Sequence, residues 1–520
     1  MPRPYPFGMT RRRFLTVAAA GAAAATGGAT YGGVLRSPGW AAAAPAGTLN
    51  FAIAATPLSP DPHYQQTGAD YHVYGNVMDR LVELDPATLN PKPSLAVSWR
   101  AVDETTYEFK LRRDVRFHDG TPMDANAVKL NFERMLGADT TTRSFTARYK
   151  AVFAPDLETL VIKLNAPYAY AVFNLGFYQM SLISPATFNK GKEWLATHAV
   201  GTGPFLLKEW VNGQRMVFER NPNYWGGPPK IDQVVLQVIP DDNTRLAALK
   251  AGDLHVMVDP PIPAVKGLLA DPVATALKLP VARTYFVMYQ LQDAVMSNVK
   301  VRQAVSMAIN RDALVQFVSN DLNRLANNII PPEARDGRDT RPGVKIEYNP
   351  DKAQALLRES GVDVSTRRLT IVPEMSISGA RDTALAIQED LKKVGVQTDV
   401  LFQENAQIQQ HYKDGTYHLG PQSWLTADPD SALRRIFSSR SPWHYPRLQD
   451  PTFEQRVDQA STTLDAKRLA LYRTVFDDLL EKAEYLPLYH KNEIVGVNRK
   501  VMGLQWSPLS VGLFRGVSLG

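Results

Sequence analysis

The 520-residue chain contains no cysteine. That absence excludes disulfides, thiolate metal sites, a cysteine nucleophile and a lipidated N-terminal cysteine anchor. Acidic residues are missing from positions 1–44, which carry Arg3, Arg11, Arg12, Arg13 and Arg36. These arginines supply most of the formal net charge of +6, so the rest of the chain is nearly neutral. A near-neutral body has no electrostatic footprint for a phosphate backbone, and nucleic acid is excluded as a partner. After residue 44 no apolar run approaches the ~18 residues that a membrane-spanning helix needs.

Catalytic signatures are absent or incomplete. There is no G-x-x-x-x-G-K-[ST] loop and no HExxH pair, and the nine histidines show no ligand spacing. Gly516-Val-Ser-Leu-Gly520 fits the nucleophile elbow, but neither the helix nor the histidine it requires follows. Ser297-Asn-Val-Lys300 fits S-x-x-K without a K-T-G partner and reads as a helix start. No cofactor, no metal and no enzymatic activity are expected.

What the sequence does hold begins at Thr10-Arg11-Arg12-Arg13-Phe14-Leu15-Thr16. This is the twin-arginine pattern, followed by a modestly apolar Ala/Gly stretch and small-residue cleavage sites ending near Ala43 or Ala44. The reading is a signal peptide over residues 1–44, export by the twin-arginine translocase through the pair Arg11 and Arg12, and a mature periplasmic protein.

Apolar residues at 44% and charged residues at 21% are ordinary globular composition, and the length predicts two or three domains. Thr48–Ala54 and Tyr107–Leu111 alternate as strands, with a turn at Asp119-Gly120. Asp124 caps a predicted helix to Met135, and Asn243–Lys250 is a helix stopped by Gly252. The spacing predicts one long helix over Val299–Phe317, another from Asn349-Pro350 to Gly361, a third over Thr383–Lys393 and a fourth over Asp465–Ala483. Strands follow at Val396–Phe402 and Tyr485–Tyr489. Mixed elements without a strict βαβ period give a mixed α/β (α+β) class.

Four segments in order resemble one family. They are Leu81-Val-Glu-Leu-Asp-Pro86 with Pro93–Trp99 and Tyr107–Pro122; Val200-Gly-Thr-Gly-Pro-Phe205 with Glu219-Arg-Asn-Pro-Asn-Tyr-Trp225; Val299–Asp312; and Leu391–Val396 ahead of Trp424 and Asp428-Pro429-Asp430. Together they resemble the extracytoplasmic solute-binding proteins of ABC importers, family 5, the peptide/nickel type. The resemblance implies a two-lobed, cluster C-like periplasmic binding protein with an extra domain. Domain I is expected over 45–78, 196–284 and 491–520, domain II over 79–195 and domain III over 285–490. Strand crossings are expected near Arg283–Gln290 and Tyr489–Val495. It also implies a monomer that captures a peptide-like or other small solute and delivers it to a membrane permease with its ATPase subunits. A periplasmic hydrolase or peptide-handling chaperone on the same scaffold is the alternative.

The plain reading of Gly201 and Gly203 is close backbone approach, and that of Tyr224 and Trp225 is packing. The expected cleft candidates are Ser59, His63, Tyr285, Tyr289 and Trp424, whose aromatics supply flat apolar walls. Dipeptide-binding members of the family hold the ligand's two ends with an Asp and an Arg. Ala427 stands at the first position here, with Asp428 beside it, and an ungapped count puts Glu374 at the second, with Arg381 as the nearest cation. Glu374, Asp428 and Asp430 therefore predict a ligand with a cationic or strongly donating group rather than a free dipeptide.

Overall fold

Leu49, Phe51 and Ile53 alternate as the sequence leads one to expect, yet Thr48 and Ala52 on the other face of the strand Thr48–Ile53 are almost equally buried, and only Asn50 is half-buried. The reason is the strand's place in the sheet: it pairs in parallel with Gln233–Val238 on one side and Val256–Val258 on the other. The computed structural model describes residues 47–520 except 65, 66, 138, 139, 365 and 376. The signal segment, with Arg11, Arg12 and both cleavage positions, lies outside the described residues.

Eleven of the described strands form one mixed sheet. From one edge the order is Thr398–Val400, Leu369–Ile371, Leu419–Leu425, Ala274–Tyr289, Tyr485–Asn498, Val256–Val258, Thr48–Ile53, Gln233–Val238, Arg215–Arg220 and Phe205–Val211, and the eleventh strand, Arg324–Leu325, pairs with Tyr485–Asn498 off this path. The strands Ala274–Tyr289 and Tyr485–Asn498 sit near its middle, at 16 and 14 residues. They run antiparallel, and their register breaks twice in mid-course: Pro280 faces Asn492 but Thr284 faces His490, and Tyr285 faces Tyr489 but Phe286 faces Pro487. At the first break four steps on one strand match two on the other, which is a bulge, and bulges bend and twist a strand. The strand from Tyr485 reaches far past the apolar run that announced it, to Asn498.

A separate four-stranded antiparallel sheet is built from Ala96–Ala101, Thr106–Leu111, Thr159–Leu164 and Tyr149–Phe153. The helix Ala125–Met135 packs on it, with the Phe132 ring edge-on to Tyr149 at 5.9 Å. Asp124 caps that helix as predicted, accepting from the Ala127 N–H at 2.9 Å. Gly252 ends the helix Asp242–Ala251 in the left-handed conformation, at φ 87°. Gly201 and Gly203 lie against the end of the helix Tyr71–Val77, where a Cβ on Gly201 would fall 2.2 Å from the Val77 carbonyl oxygen. The Gly203 N–H donates to that same carbonyl at 3.0 Å. Tyr224 and Trp225 donate to the buried Asp79 at 3.1 and 2.8 Å, which makes both packing residues.

One predicted element is corrected. Val299–Phe317 is two helices, Val299–Ala308 and Arg311–Ser319, separated by extended backbone at Ile309 and Asn310. Apolar spacing carries straight through the break, so it masks it. Asn310 makes the break: its side chain caps the second helix through the Ala313 N–H at 3.0 Å, and its own N–H donates to Asp390 at 2.8 Å.

The segment 79–195 meets the segment 285–490 through polar contacts. Tyr170 donates to Asp336 Oδ2 at 2.9 Å, and Arg468 pairs with the same oxygen at 2.8 Å. Arg148 lies 3.4 Å from Asp430, and the Ala169 N–H donates to the Ser461 carbonyl at 3.0 Å.

Candidate ligand chamber

The strand Leu419–Leu425 pairs antiparallel with Ala274–Tyr289, setting Trp424 opposite Thr284 and Leu425 opposite Arg283. Arg283 is the last residue of the bulge, so it leaves the regular ladder between the two long strands. Beyond Leu425 the chain turns at Asp428, whose side chain accepts from the Ser431 N–H at 2.9 Å and caps the helix Pro429–Phe437. Pro429 at the first helical position suits this start.

That helix brings Arg435 back over Trp424, with the guanidinium carbon 4.7 Å from the ring centre. The Trp443 ring centre lies 4.8 Å from the same guanidinium carbon. Tyr445 follows, donating to Gln409 Oε1 at 3.0 Å, and Gln409 in turn donates to Glu374 Oε2 at 2.6 Å. From the far side of the sheet order, Tyr71 on the helix Tyr71–Val77 adds a further wall, with its hydroxyl accepting from Gln179.

Electrostatics ties these groups into one enclosure. Burial lowers the pKa of Arg435; the Tyr71 hydroxyl opposes that shift and Arg283 adds to it. Burial raises the pKa of Tyr71, against the pull of Arg435 and Arg283. Arg435 nevertheless keeps solvent-accessible surface. Arg435 is thus exposed and at the same time crowded by aromatic and cationic neighbours.

Of the residues singled out by sequence, Trp424 lies in this chamber, and Glu374 lies beyond Tyr445, bonded to Gln409. Arg381 stacks on Phe402 at 3.9 Å, at the start of the helix Ala380–Lys393. Ser59 and His63 are buried in the loop after the first strand. Ser59 Oγ accepts from the Asp61 N–H at 3.0 Å. His63 lies between the Ser181 carbonyl at 3.0 Å and Arg134 at 2.5 Å, and burial with Arg134 lowers its pKa to about 4. Tyr285 and Tyr289 are core residues at 1% and 0% exposure: Tyr285 stacks on Tyr489, and the Tyr289 hydroxyl pairs with Ser306 at 3.0 Å. Asp430 pairs with Arg434 at 2.9 Å and accepts from Tyr472 at 3.2 Å. Asp428 and Asp430 are therefore engaged by the protein itself, through the cap and the ion pair.

Arg435, Arg283, Trp443 and Tyr71 went unread in the sequence. One signal was there: Asp430 and Arg434 are four apart, the spacing of an ion pair on one helix face, and account for each other, which leaves Arg435 to another face. Among the described residues no group of three or more His, Asp or Glu could hold a metal ion, and no helix is long and apolar enough to cross a membrane.

Residues 90–443 match the middle region of the bacterial extracellular solute-binding proteins, family 5, and the chain belongs to that family. It is 28% identical to the dipeptide-binding protein of Escherichia coli over 514 residues, covering 92% of this chain and 96% of that protein. It is 27% identical to heme-binding protein A of Haemophilus influenzae over 506 residues, covering 91% and 92%. Among solved structures, the periplasmic binding protein DppA from Helicobacter pylori in complex with the peptide STSA superposes with a TM-score of 0.79 at 27% identity, over 91% of this chain and 98% of that one. The substrate-binding protein CtaP from Listeria monocytogenes superposes with a TM-score of 0.82 at 20% identity, over 91% and 99%, and testifies to the fold alone.

Proposed function

We propose that this chain is the periplasmic solute-binding component of an ABC importer, capturing a peptide-like or other small organic solute by closure of two lobes. The carrying observation is the chamber: Trp424 lies beside Arg283 at the bulge of the long strands, Arg435 sits on Trp424, and Tyr71, from a third stretch of sequence, acts electrostatically with both arginines. Sites assembled at a junction of mobile parts bury ligand on closure, and the closed shape is what a partner recognises. The partners are a membrane permease with its ATPase subunits, and the working form is a monomer. Nothing favours the hydrolase or chaperone alternative, and the protein acts by binding rather than by catalysis.

The domain division over 45–78, 196–284 and 491–520, over 79–195, and over 285–490 belongs to this reading. It is supported by the four-stranded sheet, which lies wholly within 79–195, and by the two long strands, which pass from one half of the large sheet to the other. Export by the twin-arginine translocase and removal of residues 1–44 complete the proposal.

The test is solute-dependent stabilisation of ligand-free protein with compaction in solution scattering, the solute being recovered chemically unchanged. A ligand that binds only the folded form raises stability by about 2.7 kcal/mol at a hundredfold excess over Kd. Absence of stabilisation across peptides, opines, amines, sugars and metal chelates would overturn the proposal, and so would turnover of the bound solute.

A further inference from the structure

We propose that Arg435 and Arg283 form the receptor for a carboxylate on the transported solute, so that the ligand presents an organic anion to this end of the chamber. The proposal rests on the solute-binding reading above and assigns the chemistry of its site.

The helix Pro429–Phe437 carries two adjacent arginines with opposite fates. Arg434 is held by Asp430 at 2.9 Å and by Asp458 at 2.8 Å. Arg435 is one residue, or about 100°, further round the helix, and among the described residues no hydrogen bond or ion pair reaches its guanidinium. The ring centres of Trp424 and Trp443 lie 4.7 and 4.8 Å from its guanidinium carbon. Two aromatic neighbours hold the group without using its N–H donors, which stay free to meet a partner. A carboxylate is the planar acceptor that matches this fork.

The neighbouring charges point the same way. The titratable groups that bear on Arg435 are Tyr71, Arg283 and Tyr445, with no carboxylate among those described. Arg283 commits Nη1 to the Ser423 carbonyl at 3.3 Å and so stays beside the chamber. Arg435 and Arg283 repel each other, and an anion bound at Arg435 turns that repulsion into attraction to both, while Arg283 also faces Glu493. This reverses the charge expected from Glu374, Asp428 and Asp430. Asp428 and Asp430 are engaged away from the chamber, and Glu374 lies beyond Tyr445, bonded to Gln409.

An arginine stacked on tryptophan as ordinary surface packing would be indifferent to ligand charge, and this separates the two accounts. The probes are Ala-Phe and Ala-Ala-Phe as free acids, the same peptides as C-terminal amides, and adipate, titrated calorimetrically into ligand-free mature protein. At least one free acid or adipate is expected to bind, with each amide weaker than its acid by roughly a hundredfold, the scale of losing a buried charged partner. Arg435→Gln should lower affinity for the acid by a similar factor and bring acid and amide to parity, while Arg435→Lys should restore part of the difference. Trp424 and Trp443 emission should change on binding in the wild type. The proposal falls if acid and amide bind alike, if Arg435→Gln weakens both equally, or if no carboxylate probe binds. If amides or amines bind while acids do not, it falls and the solute-binding reading stands; if nothing in the wider solute screen binds, both fall.

Discussion

The ring of Tyr285 stacks on that of Tyr489 with centres 4.8 Å apart and 26° between planes, pinning the two long strands between their two register breaks. Both rings are buried to within 2% of full exclusion, so they stabilise the crossing rather than line the chamber. Tyr285→Ala should destabilise the protein by about 3–5 kcal/mol, the usual cost of deleting a buried ring. Tyr285→Phe should leave solute affinity unchanged in calorimetry, and a large loss of affinity in that variant would return Tyr285 to the binding site.

Asp428 should make stability fall as pH rises. Its pKa is raised to about 7, first by burial and then by Asp430, with Asp336 adding to the shift against the Ser431 hydrogen bonds. A carboxyl raised in the folded state contributes fully at pH below about 4, its unfolded value, and that contribution is lost as pH rises through about 7. Tyr168, Tyr170 and Tyr472 also bear on this cluster, and burial keeps all three neutral. Asp428→Asn keeps a capping side chain, so it should stabilise the protein at pH 8 and be nearly neutral at pH 4 in denaturant titrations. An equal effect at both pH values would contradict this.

His63 acts with the opposite sign. Its pKa is lowered to about 4, first by burial and then by Arg134. Stability from the neutral ring is present above its ordinary value of 6.5 and is lost as pH falls through about 4. Proton-detected titration should find His63 uncharged at pH 5.5. His63→Gln should reduce the loss of stability between pH 6.5 and about 4; a steep loss that persists in the variant would place its origin elsewhere.

Asp336 joins Tyr170 of one segment to Arg468 of the other. With both carboxylate and guanidinium side chains mostly buried, Asp336→Ala should cost about 3 kcal/mol of stability and leave Arg468 without its partner. Solution scattering of the ligand-free variant should report a larger radius of gyration than the wild type. An unchanged radius would mean that this contact does not hold the segments together.

Arg11→Lys combined with Arg12→Lys should stop export, because the paired arginines are what the translocase reads. Unprocessed precursor in the cytoplasm is the expected outcome, scored by fractionation and by the mass of the N-terminus. Normal periplasmic accumulation would refute the export assignment.

Much of the architecture was readable from local chemistry. Asp124, Asn349 and Gly252 mark helix ends because a cap or a left-handed turn is decided within a few residues. The family resemblance ran through segments of this kind. The break at Asn310 escaped because its cause includes Asp390, 80 residues away, which no local window contains. The chamber escaped for the same reason. Trp424 was visible as an aromatic beside a motif, but its meaning comes from Arg435, whose guanidinium it shares with Trp443, and from Arg283 on the neighbouring strand. The acidic candidates Asp428 and Asp430 looked available only because their partners, Ser431 and the distant Arg148, are assigned by folding.

The bulge between Pro280 and Thr284 also has a mechanical meaning. Its last residue is Arg283, so the irregularity of the long strand and the charge assigned to the chamber fall on the same few atoms. Under the proposed reading, a solute held there would pull on the pivot itself rather than on a remote surface. Occupancy and bend angle would then share one coordinate, with no relay of side chains between ligand and joint.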